Sequence, residues 1–215
     1  MIVRIMTTWD KIYKNYLKGG KAWATLSEGM LPAFKRFLRQ TEFDRKSVLD
    51  IGCGTGKYLR FLKLSGFKTD GIDSSGTAVK MTRKLLNDDS KIACVSMFNF
   101  KIPKKYDLII SVATIHHGTK KQVQNLVNRI HTALLADGKI FITLPSIENR
   151  IKWDTFKKQK VIAPGTFAPL SGPEKGLPHS FYTKGEARKL FAKYRNVKLF
   201  NIGHGRWAVT AKKSC

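Results

Sequence analysis

The 215-residue sequence predicts an α/β protein: a doubly wound, mostly parallel sheet with helices on both faces. Three observations carry that expectation. From about residue 47 onward, short apolar runs alternate with segments of helical periodicity in a β-α-β-α-β order. The runs are nearly continuous in apolar residues, as strands covered on both faces must be. The first run ends directly on a glycine-rich turn, Gly52-Cys53-Gly54-Thr55-Gly56, that opens a helix.

Taken in order, residues 8–39 read as helical. Trp9, Ile12, Tyr13 and Tyr16 occupy one stretch, and Trp23, Leu26, Met30, Phe34 and Leu38 the next, with a break at Lys18-Gly19-Gly20. Residues 46–51 (KSVLDI) form the first strand. Residues 55–64 place Tyr58, Leu59, Phe61, Leu62 and Leu64 at helical spacing. A second strand is expected at 67–72 and a second helix at 76–86, capped by Ser74 or Ser75. Strands at 92–95 and 106–112 come next, then a helix over 119–135 with Val123, Leu126, Val127, Ile130 and Leu134 on one face. A fifth strand at 139–144 follows Asp137-Gly138. Beyond it, residues 151–159 suggest a helix, and APGTFAPLSGPEKGLPHSFY suggests a long binding loop or lid. Residues 183–194 read as a final helix, and 196–200 and 206–211 as closing strands.

Composition narrows the class. With 42% hydrophobic and 11% aromatic residues the chain can bury a sizeable core. No apolar run reaches the ~18–20 residues of a membrane span. The first residues lack the apolar stretch and cleavage site of a secretion signal, so a reducing cytoplasmic location is expected. Cys53, Cys94 and Cys215 lie far apart without CxxC spacing, which argues against a zinc site or a disulfide framework, and no metal is expected. Forty Lys+Arg against fifteen Asp+Glu give a net charge of +25, spread along the whole chain and densest after residue 147. That charge favours polyphosphate or acidic partners, although Lys-rich composition also serves merely to solvate a surface.

The glycine turn is the most informative stretch. Its glycines permit backbone conformations that a Cβ forbids and let a ligand approach the main chain. Asp73, at the end of the next strand and 17 positions past Gly56, offers two acceptor oxygens that suit the two hydroxyls of a ribose. The spacing is G-x-G-x-G rather than G-x-G-x-x-G, and Asp50 precedes it. A carboxylate there opposes a pyrophosphate and welcomes a cationic ligand.

With VLDIGCGTG followed by GIDSS, the chain resembles the class I S-adenosylmethionine-dependent methyltransferases over roughly residues 46–146. The resemblance implies a Rossmann-like sheet of seven strands with the last one antiparallel, and S-adenosyl-L-methionine as cofactor. It places the methionine end at Asp50, Gly52, Gly54 and Gly56 and the ribose at Asp73, with Ser74 beside it. Ser96 stands where relatives often carry an Asp for the adenine amino group, and Met97 and Phe98 would pack on the adenine face. Ser111, at the end of the fourth strand, completes the cofactor set. One domain is expected over 1–215: a helical extension (1–45), a cofactor core (46–146), and an acceptor-side loop with closing elements (147–215).

The acceptor should lie beyond the fourth strand, in SVATIHHG. The Asn/Asp-Pro-Pro-aromatic motif of aminopurine and aminopyrimidine methyltransferases is absent there, which disfavours exocyclic amines. His117 is the candidate catalytic base or else a pocket wall; His116 should face the other way if the strand continues. His179, Tyr182, Arg206, Tyr16 and Trp23 are candidate acceptor residues, with Arg206 suited to a carboxylate or phosphate. Trp9 is expected to pack on the sheet. The favoured function is methyl transfer by direct displacement to an O, N or C acceptor, a small molecule first. GKYL with TIHH is also similar to the wobble-uridine tRNA methyltransferases. A catalytically silent RNA-binding or partner-activating subunit is the alternative from another class, and it would not need both Asp50 and Asp73. Weak, salt-sensitive nucleic-acid binding is expected in either case.

Overall fold

The structure, a computed structural model, describes residues 8–20, 29–87 and 90–214. Trp23 lies outside the described residues, as do Leu26 and Cys215. The chain runs α1 (Thr8–Leu17), α2 (Pro32–Arg39), β1 (Ser47–Ile51), α3 (Lys57–Leu64), β2 (Lys68–Asp73), α4 (Gly76–Leu86) and β3 (Lys91–Cys94). It continues through β4 (Tyr106–Ser111), α5 (Lys120–Ala133), β5 (Leu134–Pro145), β6 (Gln159–Ala163), β7 (Thr166–Pro169) and β8 (His179–Ser180). It closes with α6 (Lys184–Leu190), β9 (Tyr194–Asn201) and β10 (Arg206–Lys213).

Seven strands form one sheet in the order β3-β2-β1-β4-β5-β10-β9. The pairs from β3 to β5 are parallel, and β10 is antiparallel to both of its neighbours. Alternation along each central strand feeds two cores. Leu49, Ile51, Ile109, Ile140, Ile142 and Val209 meet α5 and α6 on one face. Val48, Leu108, Ile110, Phe141 and Ala208 meet α2, α3 and α4 on the other, around the fully buried Phe34. Among the described residues no helix is long and apolar enough to cross a membrane.

Helix α1 is tied to the sheet through α4. Asp10 accepts hydrogen bonds from Thr77 N (2.8 Å) and Ser75 Oγ (3.0 Å), and Tyr13 packs with Ala78. Burial works against the Asp10 charge, but these donors and Lys14 outweigh it and hold the carboxyl down at about 2. This anchor sets Trp9 and Tyr13 over the glycine turn.

Three local expectations change. The helix expected at 151–159 is instead two short 3₁₀ turns, Ile147–Lys152 and Asp154–Phe156, followed by β6. Trp153 sits between them in an extended conformation (ψ 120°), its indole N–H bonded to His204 O at 3.0 Å, and so interrupts a helix. The Pro/Gly-rich passage, expected as a long binding loop or lid, carries strands of its own, because β6, β7 and β8 form a small antiparallel sheet. Helix α5 stops at Ala133 because Leu134 already pairs with Tyr106, so β5 begins five residues earlier than expected, ahead of the register shift in that pairing.

Candidate functional site

The parallel strands β1 and β4 are neighbours whose connections leave to opposite sides, so a crevice opens beyond their carboxyl ends. A cavity of about 860 Å³ occupies it, within the size range of small-ligand sites. It runs from the glycine turn to a cluster of histidines and Arg206.

At the first end, Gly52, Gly54 and Gly56 all have positive φ, from 55° to 81°. At Gly54 a Cβ would also stand 2.5 Å from the Tyr13 hydroxyl, so only glycine allows α1 to close here. Asp73 accepts from Gly54 N (3.0 Å) and Ser75 N (2.9 Å), which fixes its carboxylate across the turn. Ser75, not Ser74, caps α4, accepting from Ala78 N at 3.1 Å. Asp50 is 3% exposed, lines the cavity, and accepts no hydrogen bond from any described residue. Burial, with Asp73 nearby, raises the Asp50 carboxyl well above its ordinary value. Burial also raises Asp73, with its backbone donors pulling the other way. Two desolvated carboxylates in one cavity create a strong preference for a cationic ligand.

Val95, Ser96, Met97 and Phe98, just after β3, form a further wall. Phe98 fits because Gly118 leaves room, where a Cβ would be 2.5 Å from its ring. Ser96 Oγ accepts from Phe98 N at 3.3 Å, which shapes this turn.

The second end is built on the turn after β4. Ala113 takes a left-handed conformation (φ 56°) and donates to Thr143 Oγ1 at 2.7 Å. This turn ends the strand alternation, so His116 does not face away: His116 and His117 both line the cavity, their rings 4.2 Å apart. Ser180, on β8, donates from its backbone to His116 O (2.8 Å) and from its hydroxyl to Gly118 O (2.5 Å), bringing His179 against both histidines. His179 Nε2 lies 3.0 Å from Glu174 Oε2. Trp9 is a cavity wall as well as a packing residue, with its ring 4.7 Å from His117 and edge-on to it. Arg206 stacks on Trp153 at 5.0 Å, and among the described residues its guanidinium makes no hydrogen bond or salt bridge. Burial, then the neighbouring His179 and Arg206, push His117 well below its ordinary pKa; burial, then His117, His179 and Arg206, do so for His116.

Of the sequence-predicted residues, Asp50, Gly52, Gly54, Asp73, Ser74, Ser96, Met97, Phe98, His117, His179 and Arg206 line this one cavity. Four others do not. Gly56 caps α3 against Thr82, and Ser111 donates its hydroxyl to Ile51 O at 2.9 Å. Tyr182 is buried in the α5/α6 core, and Tyr16 packs against the cluster of Tyr13 and Ala78. Sequence reasoning missed Glu174, Trp153 and Thr114 as wall residues. Glu174 and Trp153 carry no periodic or motif signal, although Glu174 sits five residues before His179 in a stretch already singled out, and Thr114 stands within SVATIHHG, where the acceptor end was expected.

Residues 22–194 match the family model described as a methyltransferase domain. A human protein named "Probable tRNA methyltransferase 9B" is 30% identical over 150 residues, which cover 67% of this chain and 29% of that protein. A malonyl-[acyl-carrier protein] O-methyltransferase of Acetivibrio thermocellus is 30% identical over 129 residues, 58% of this chain and 43% of that one. The chain thus spans less than half the length of either relative. A solved structure of a Pyrococcus horikoshii protein superposes with a TM-score of 0.72 at 15% identity, over 93% of this chain and 99% of that one.

Proposed function

The chain belongs to the methyltransferase-domain family, and from that premise we propose that it moves a methyl group from S-adenosylmethionine to an anionic small-molecule acceptor. The observation that carries the reading is Asp50, a buried carboxylate with no described partner, facing a cavity that also reaches Arg206. When bound, the cofactor supplies a methyl group on a positively charged sulfur, open to direct displacement. The residues present fit it: Asp50 and the Gly52–Gly54 backbone take the cationic methionine end, Asp73 the ribose, and Met97 and Phe98 the adenine face. Residues 46–146 form the cofactor core, and residues 147–215 supply the acceptor side together with the turn after β4. Trp9, Val112 and Trp153 supply apolar wall that keeps water from the reacting end.

Arg206 binds the acceptor. A stacked guanidinium that makes no salt bridge among the described residues matches a carboxylate or phosphate in a bidentate geometry. Such an acceptor has already lost its proton, so methyl transfer requires positioning and no base. This agrees with His117, whose lowered pKa makes it a poor base and a suitable neutral wall. The bacterial relative is named for O-methylation of a malonyl group, which ends in a carboxylate. The buried thiol of Cys53 suits a reducing cytoplasm. A tRNA acceptor is the second reading, favoured by the human relative's name and the +25 charge.

The test is calorimetry with S-adenosylmethionine, followed by transfer of labelled methyl groups to a panel of carboxylates and to total tRNA. Asp73→Ala should lose at least ~1.5 kcal/mol of cofactor binding, the scale of a charge-assisted hydrogen bond. His117→Ala should keep cofactor affinity within about threefold, under 1 kcal/mol, while slowing transfer. No binding by the parent protein would refute the reading, and robust labelling of tRNA would promote the second one.

A further inference from the structure

We propose that His116, His117 and His179, with Glu174 beside them, form a binding site for one divalent transition-metal ion, zinc in first place, at the acceptor end of the cavity. The inference adds to the methyltransferase reading and does not rest on it, since it concerns ligands that the cofactor does not use. One potential ligand atom from each of the three rings lies within 4.8 Å of the others. Nitrogens bound to zinc at about 2.0–2.1 Å in a tetrahedron stand about 3.3 Å apart, so the rings must close by roughly 1.5 Å at most.

The hydrogen bonds already set up the ligands. His117 Nε2 is 3.2 Å from Ala113 O, and His179 Nδ1 is 2.8 Å from Leu177 O. A carbonyl only accepts, so both of these nitrogens carry the hydrogen, which leaves His117 Nδ1 and His179 Nε2 as lone pairs. This is how outer-shell carbonyls orient metal-bound imidazoles. Among the described residues, His117 Nδ1 is buried with no hydrogen-bond partner, and so is His116 Nδ1. His179 Nε2 instead faces Glu174 Oε2 at 3.0 Å. Two acceptors at that distance need a cation between or beside them, either a proton or a metal. Burial keeps His116 and His117 neutral, the form that ligates. Imidazoles with one carboxylate suit zinc among the biological divalent ions. The positive charge of Arg206 opposes an ion here, and Glu174, acting on Arg206, offsets it. A bound ion would give an anionic acceptor a second positive centre in the same cavity as Arg206.

Metal-stripped full-length protein would be titrated with Zn²⁺ and with Co²⁺, counting bound metal after desalting and recording the Co²⁺ ligand-field absorption. The expected result is one ion per chain, visible bands of a low-symmetry histidine site, and at least tenfold weaker binding in His117→Gln and in His179→Gln. His131→Gln, on α5 away from the cavity, should bind like the parent. Zn²⁺ bound no better than Mg²⁺, or binding that survives the double variant His117→Gln/His179→Gln, overturns the proposal. Should the variants fail to fold, the parent's own imidazole ¹⁵N–¹H spectrum decides. Zinc must then move three histidine rings and leave His131 in place; an unmoved spectrum, with His179 protonated against Glu174, overturns the site. Calorimetry on the metal-stripped protein separates the two readings. Cofactor binding there, without a zinc site, overturns this proposal alone.

Discussion

Asp50→Asn should make the ligand-free protein more stable and its cofactor binding much weaker. The Asp50 side chain is 3% exposed, accepts no hydrogen bond from a described residue, and shares its cavity with Asp73. Burial first, and Asp73 second, raise its pKa in the folded state. A carboxyl raised in this way leaves the fold unburdened below its unfolded pKa of about 3.9, where it is neutral in both states. As pH climbs through the raised folded value, ionisation is opposed only in the native state and stability is lost. Asparagine removes that loss while keeping the shape. The melting temperature of Asp50→Asn should therefore exceed the parent's at pH 7–8, and the gap should close as pH falls toward about 4. Binding goes the other way. A charge-assisted hydrogen bond contributes about 1.5–3 kcal/mol, so losing one from the methionine end weakens S-adenosylmethionine roughly ten- to 150-fold. The parent's affinity should also start to fall at a higher pH than an ordinary carboxylate would dictate, because protonation of Asp50 competes with the cation. Thermal scans from pH 4 to 8 and calorimetry at pH 7.5 measure both effects. A variant that is less stable at pH 7, or that binds within threefold of the parent, would refute the electrostatic account of the site.

Two further outcomes are expected. Phe34 is fully buried and stacks edge-on with Tyr58 and Phe141, so Phe34→Ala should cost about 3–5 kcal/mol in urea unfolding; a loss under ~1 would mean that α2 contributes little to the core. With a net charge of +25, the protein should bind tRNA at low salt and largely release it near ~0.3 M, because each neutralised phosphate releases counterions; salt-resistant binding accompanied by methyl transfer would contradict a small-molecule acceptor.

The part of this protein legible in its sequence is the part whose physics is local. Apolar runs mark β1 and β4, and helical spacing marks α3, α4 and α5, because each pattern is written within a dozen residues. The same holds for the glycine turn with Asp50 and Asp73. Covalent connection places one carboxylate at the end of β1 and the other at the end of β2, and parallel pairing of those strands makes them neighbours. Sheet closure was only half legible. That 206–211 is a strand can be read from its residues, but its position between β5 and β9 depends on which edges remain open. Tertiary structure alone decided the acceptor end. His179 lies more than 60 residues beyond His116 and His117, and reaches them because Ser180 hydrogen-bonds the turn after β4. Glu174 and Trp153 carry no periodicity that would single them out. His116 faces the cavity because Ala113 turns left-handed and ends the alternation that the sequence suggested. Such placements depend on contacts between distant segments and on single backbone conformations. No pattern of nearby residues encodes either.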